Sequence, residues 1–420
     1  MDVLRGVAIL GIFAMNVLSF ALPEQSYFNP ASAGAEPFAG SFSGMNAVTW
    51  FIQSLIFDQK MMSTFAMLFG AGLMVMHLNA VSTGQSRTGI WYRRSFCLLA
   101  LGLAHSLLLW FGDVLVLYSV CGMALWPLRK LACKWLFALA AIALAAGLII
   151  NTLTGFFLHV PLSLGDAART QLAGDVSHLA ADQLAELESR VATADETLAT
   201  FEPSVLNTQL VAQQRRTVQG YFDFNLAMSL QMLSGYLWAL AAPKTLAMML
   251  TGMALCKLGI IQGLASARLY HAWARTLLIF AIPTILLGMW SHHRHDFRFD
   301  WYFLFDGHFN YLASAAAAVG LTCLIALWCK SGGSSRLRSA LANVGRMSLS
   351  CYILQTLLGV GIFSGYGLGY FGALERAWLL PVTMAVWGVC IIFANQWLSK
   401  FQQGPLEYLW KTLTYWPRKA

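Results

Sequence analysis

Few residues in this chain of 420 combine chemical reactivity with an apolar setting, and they are the place to begin. His105 stands in the run Gly102-Leu103-Ala104-His105. A neutral imidazole there can act as a general base. Asp113 follows in Trp110-Phe111-Gly112-Asp113. On a continuous helix the two would lie about 80° and about 12 Å apart, so they can line one cavity without touching. The same pair also suits a packed core histidine and an aspartate that caps the next helix. Arg5 and Asn16 fall on one helix face, roughly 16 Å apart along the axis. They can line a substrate path. Alternatively, Arg5 is an interfacial anchor paired with Asp2, and Asn16 a bond between helices. Lys60 follows Asp58 at the start of an apolar run, where it can snorkel to the interface or pair with Asp58 or Asp113. A base, an orienting carboxylate and nearby cations are the parts of a group-transfer or proton-transfer site.

The elements that must position these groups are membrane helices. Hydrophobic residues make up 58% of the chain and charged residues 11%. Soluble domains carry about 25% charge, so this chain cannot cover a water-facing surface. Ten runs are long and apolar enough to read as spans: 3–22, 59–78, 94–111, 113–128, 134–158, 244–262, 271–290, 308–329, 341–363 and 377–398. The fourth is short and suits a tilted or re-entrant segment. Dyad alternation is missing, which excludes an outer-membrane barrel. The expected fold is all-α and polytopic, one transmembrane domain over 1–420.

The net charge of +8 does not point to nucleic acid, because the Lys and Arg sit in short loops. Arg87, Arg93 and Arg94 lie between the second and third runs or at the edge of the third, and Arg129, Lys130 and Lys134 lie likewise between the fourth and fifth. Lys257, Arg268 and Arg275 flank the next loop on that side, then Lys330, Arg336, Arg338 and Arg346, with Lys400, Lys411, Arg418 and Lys419 at the end. All fall on one side, while 23–45 has none. Both termini are therefore expected in the cytoplasm. The first run also admits a signal-peptide reading, with Ser19-Phe20-Ala21 as the cleavage site. The eight cysteines lie in or beside apolar runs and read as buried hydrophobes.

One segment, 160–225, is polar and expected outside. Asp166, Asp175, Asp182, Glu186, Glu188, Asp195, Glu196 and Glu202 face only Arg169 and Arg190, and leucines recur at helical spacing. It reads as an amphipathic helical insertion, either solvated or serving as a lid or partner-docking element. The cluster from His292 to His308 matches no metal-ligand spacing, and no metal is predicted. Neither a P-loop, a G-x-S-x-G elbow nor an H-E-x-x-H motif is present.

Several motifs in order carry a resemblance. Leu4-Arg5-Gly6-Val7-Ala8-Ile9-Leu10-Gly11, Asn16, Leu22-Pro23, Leu68-Phe69-Gly70-Ala71-Gly72, the His105 and Asp113 motifs, Gly345-Arg346-Met347-Ser348 with Tyr352 and Gln355, and Gly404-Pro405-Leu406-Glu407 with Trp410 span nearly the whole chain. In these it resembles the YeiB-like family of bacterial inner-membrane proteins. The residues that usually precede the first motif are missing, so a longer N-terminus is expected. That family is distantly similar to transmembrane acyltransferases, among them the heparan glucosaminide N-acetyltransferase branch. The resemblance implies a bacterial cytoplasmic membrane, acyl-CoA as co-substrate and an acceptor that is often a sugar. One acyltransferase branch has histidine where this chain has Asn16. The heparan branch keeps that Asn but places its histidine in the following outer loop, where 23–45 has none. Neither catalytic residue carries over, and His105 is the substitute inferred here.

The expected function is membrane-embedded acyl transfer to a small-molecule or sugar acceptor, with His105 as base oriented by Asp113. Arg5, Asn16 and Lys60 would line the substrate path. A transporter of a small solute or lipid, using the same buried charges as a path, and a membrane scaffold or sensor stay open.

Overall fold

The computed structural model describes residues 1–31, 42–84, 86–201, 205–332 and 334–415. Part of the 23–45 loop, Glu202, Arg418 and Lys419 lie outside the described residues. Among the described residues there is no strand. The helices are α1 (Asp2–Ala21), α2 (Gly44–Ile52), α3 (Lys60–Ser82), α4 (Thr88–Leu108), α5 (Leu115–Leu125), α6 (Cys133–Leu172), α7 (Ala181–Phe201), α8 (Val205–Arg215) and α9 (Val218–Gln231). They continue as α10 (Ala242–Lys257), α11 (Ala267–Arg294), the single turn α12 (Phe299–Trp301), α13 (Gly307–Lys330), α14 (Ser335–Arg346), α15 (Ser348–Phe363), α16 (Leu379–Leu398) and α17 (Pro405–Tyr415).

Seven helical stretches among the described residues are long and apolar enough to span a bilayer, and eight if the bent pair α14 and α15 counts as one span. The molecule is a multi-pass membrane protein. The sequence suggested ten spans, and the difference has local causes. The turn Trp91-Tyr92-Arg93-Arg94 makes the start of α4 polar. α5 has 11 residues, about 17 Å of helix, against about 30 Å of hydrocarbon. The expected span 341–363 is broken, with an 84° bend between α14 and α15. Glu407 explains the break. Its carboxylate accepts from Leu349 N at 2.7 Å and Ser350 N at 3.1 Å, so α15 begins with its own cap.

Close helix packing rests on the glycines of the motifs. A Cβ on Gly345 would lie 1.9 Å from the Asp2 carbonyl oxygen, and one on Gly6 would lie 2.0 Å from that of Leu341. α1 and α14 therefore cross backbone to backbone. Gly70 and Gly252 do the same for α3 and α10, with Cβ positions 2.0 Å from Met249 O and 1.8 Å from Met67 O.

The polar insertion is helical, but it divides differently from the expected 160–225. α6 runs on without a break for 40 residues, about 60 Å, twice the hydrocarbon thickness. α7 returns along it, with Arg169 paired to Asp166 and Asp195. Residues 218–231 instead pack into the bundle as α9. The last carbonyls of α4 have no partners in their own helix, and α9 supplies donors for them. Asn225 Nδ2 donates to Ser106 O at 2.9 Å, Ser229 Oγ to the same oxygen at 2.8 Å and Tyr221 OH to Leu109 O at 2.9 Å.

Candidate functional site

α4 ends at Leu108, and the chain turns through Trp110-Phe111-Gly112 before Asp113 starts the approach to α5. The turn brings the two sequence-predicted groups together. His105 Nδ1 lies 2.8 Å from Asp113 Oδ1. The other carboxylate oxygen accepts from Val116 N at 2.8 Å, which fixes the carboxylate at the start of α5. An ionised carboxylate has only acceptor oxygens, so opposite it Nδ1 carries the hydrogen. In the neutral ring Nε2 then offers its lone pair to the Thr356 hydroxyl 3.0 Å away, in competition with the Tyr352 carbonyl 3.3 Å from the same hydroxyl. The unit is a Thr–His–Asp chain. His105 is 3% exposed and Asp113 4%. Gly102 lets α4 come this close, since a Cβ there would lie 2.7 Å from Val116 N and 3.1 Å from Asp113 Oδ2.

Two cavities approach this unit from opposite ends of the bundle. One, of about 480 Å³, is lined by Arg5, Arg87, Arg94, Arg346, Lys411 and Tyr352 among others. Its acid, Glu407, is spent on capping α15. The Arg94 guanidinium stacks 3.8 Å above the Trp410 ring, and Arg87 Nε is buried without a partner. The second cavity, of about 370 Å³, is lined by Asn16, Tyr27, Gln59, Trp110, Tyr236, Lys244 and Tyr302 among others. Val114 and Tyr118 line both. His105 opens directly into neither. It sits between them, its ring centre 5.1 Å from that of Tyr352 in the first wall and 6.4 Å from that of Trp110 in the second.

The other sequence-predicted residues separate. Arg5 lines the basic cavity and bonds Asp2 at 3.1 Å, and Asn16 lines the opposite one. Lys60 is buried and lines neither cavity, and it does not reach Asp113 in any ion pair. Its amine donates to Ser54 O at 2.6 Å, Asp58 O at 3.0 Å and Asn310 Oδ1 at 2.9 Å. The expected link to the Asp58 carboxylate is indirect, because Asn310 Nδ2 donates to Asp58 Oδ2 at 2.6 Å. In the histidine cluster, Asp306 accepts from Ser291 at 2.5 Å and faces His292 and His295, so these residues tie α11 to α13. Sequence reasoning missed Thr356 and Lys244. The only hint for Thr356 was its place one turn after Tyr352 in a named motif.

A protein of Escherichia coli (strain K12), the uncharacterized protein YeiB, is 31% identical over 416 residues, which cover 99% of this chain and 95% of that one. The chain belongs to the YeiB-like family. The uncharacterized protein YxaH of Bacillus subtilis (strain 168) is 27% identical over 99% of this chain and 93% of its own. A shorter match, 35% over 80 residues, joins 19% of this chain to 22% of an uncharacterized 39.9 kDa protein of Bacillus acidopullulyticus. The family model described as a protein of unknown function, DUF418, matches residues 255–417. That stretch contributes Tyr352, Arg346 and Glu407 to the lining of this chain's basic cavity and Thr356 to the contact with His105, while His105, Asp113 and Arg5 come from the part before it. No solved structure matches the chain.

Proposed function

We propose that this YeiB-like protein is a membrane-embedded acyltransferase that takes its acyl group from acyl-CoA. The observation that carries the reading is the placement of the His105–Asp113 pair between two cavities, one of them ringed by arginines. Coenzyme A brings several phosphates, and guanidinium forks suit them. Arg5, Arg87, Arg94 and Arg346 would hold the donor in the basic cavity, and an acceptor would enter from the other. The acceptor hydroxyl or amine attacks the thioester carbonyl carbon while His105 Nε2, freed from Thr356, takes its proton. The C–S bond breaks, and the thiolate leaves with the proton from the imidazolium. Asp113 holds the ring in the tautomer that leaves Nε2 basic, the role a carboxylate plays in hydrolase triads. Lys60 is committed to Ser54, Asp58 and Asn310, so Asn16 is the better candidate to polarise the carbonyl. In this reading the basic end and both termini face the cytoplasm of a bacterial inner membrane.

The test is acetyl-CoA binding and turnover by the full chain in detergent, beside His105→Ala. The expected result is saturable binding in both, with turnover lost about 10²–10⁴-fold in the variant. Coenzyme A that neither binds nor raises the unfolding temperature, or turnover equal in the two proteins, would end the proposal. A second reading has its own observation: Val114 and Tyr118 alone are shared by two cavities from opposite ends, an arrangement that also suits a transport path. Uptake into vesicles with no acyl turnover would favour it.

A further inference from the structure

The cavity lined by Asn16 holds a cation that neither sequence nor family assigns. Lys244 stands at the start of α10, one residue after Pro243, and lines the cavity wall. Its amine donates to Gln59 Oε1 and to Ser314 Oγ, the latter at 2.6 Å, and lies 4.7 Å above the Tyr311 ring. An ammonium has three N–H donors, so one is left over. Lys244 forms no ion pair with any described residue.

The surrounding charges do not balance it. Glu24 lines the same cavity but is taken by Arg215 at 2.6 Å. Asp58 lies nearby, held by Tyr27 at 2.7 Å and by Asn310, which also holds Lys60. Two lysines thus share the field of one carboxylate, so with both amines protonated the region carries one positive charge in excess. An unpaired charge away from water is costly, and a ligand anion removes that cost. Donors are in excess too. Trp110 Nε1 and the Tyr311 hydroxyl are both buried without a partner, and both residues line this cavity. Tyr27, Phe28, Tyr236 and Tyr302 supply aromatic walls.

We propose that this cavity is a binding site for a small organic carboxylate, with Lys244 as its counter-charge and the aromatic rings enclosing its body. A carboxylate is acceptor-only and offers two oxygens, which matches a wall that has donors to spare. The site stands on the cavity itself, so it holds whether the molecule is an acyl acceptor or a transported solute.

The test uses the full chain in detergent and two probe pairs, benzoate against benzamide and glucuronate against glucose, read as a shift in unfolding temperature with probe concentration. At least one acid raises the unfolding temperature and its neutral counterpart does not, and which acid does so tells an aromatic body from a sugar. Lys244→Gln keeps two hydrogen bonds in reach but removes the charge, and it weakens the acid's Kd tenfold or more, whereas Lys244→Arg retains binding. The wild-type comparison of acid with neutral probe needs no variant, so a Lys244→Gln protein that fails to fold leaves the proposal testable. Equal shifts from acid and neutral probe, equal acid binding by Lys244→Gln, or no shift from either acid would overturn it. None of these readouts involves acyl-CoA, so failure here is separate from failure of acyl transfer.

Discussion

Replacing Gly102 with alanine should break the His105–Asp113 contact without touching either residue. The new methyl would stand 2.7 Å from Val116 N, 2.9 Å from Leu115 Cβ and 3.1 Å from Asp113 Oδ2. Ordinary contact begins near 3.4 Å, so α4 and α5 must part by roughly 0.7 Å. That displacement carries the 2.8 Å bond between His105 and Asp113 towards about 3.5 Å, the limit of a hydrogen bond. Overpacking of this kind costs about 1–3 kcal/mol. Alanine for glycine inside a helix also gains about 0.5–1 kcal/mol from lost chain entropy. A second glycine isolates the steric part. Gly388 lies inside α16 with nothing within 4 Å of its Cβ position, so Gly388→Ala gains the entropy and meets no wall. The difference between the variants should therefore be about 1–3 kcal/mol, with Gly102→Ala the less stable. Reversible unfolding in mixed micelles, with rising denaturing detergent, measures it. Proton NMR of labelled histidine should show the bonded Nδ1–H signal of His105 in the wild type and its loss in Gly102→Ala. Equal stability of the two variants, or an unchanged signal, would refute the reasoning.

Two further substitutions follow from single contacts. Glu407→Ala removes the cap that starts α15 and should cost about 1–2 kcal/mol, read as a lower unfolding temperature in detergent. Tyr352→Phe takes the acceptor from the Val114 N–H, 3.3 Å away and buried, and should cost about 1–3 kcal/mol in the same assay. A Tyr352→Phe protein as stable as wild type would mean that this N–H finds another partner.

Most of the apolar helices were legible in the sequence because length and apolarity alone decide a span. Seven of the ten expected runs each overlap one of the seven stretches that qualify in the structure. The other three turned on something local. α5 is simply short, α4 opens with two arginines, and the break at Met347 depends on Glu407, 60 residues further on. The site was half legible. His105 and Asp113 were picked for their types, yet their helical separation of about 12 Å proved irrelevant, because α4 ends at Leu108 and the chain folds back. Arg5 and Asn16 do share a helix face, and each lines a cavity, but not the same one. Thr356 is 251 residues from His105. A hydroxyl among apolar neighbours is common in membrane helices, so nothing in its type marked it out. Nothing in the sequence marks Lys244, a lysine after a proline at the edge of an apolar run. Only the folded chain reveals that it lines a cavity.

The thin wall between the two cavities also has an electrical meaning. A membrane voltage falls mainly across regions of low dielectric, and water entering from both ends would shorten that region to the layer around Val114, Tyr118 and the Thr356–His105–Asp113 chain. A proton stepping through this layer would exchange up to about 2.3 kcal/mol with the membrane for each 100 mV. If His105 exchanges protons as proposed, the polarity and size of the membrane potential would weight that exchange.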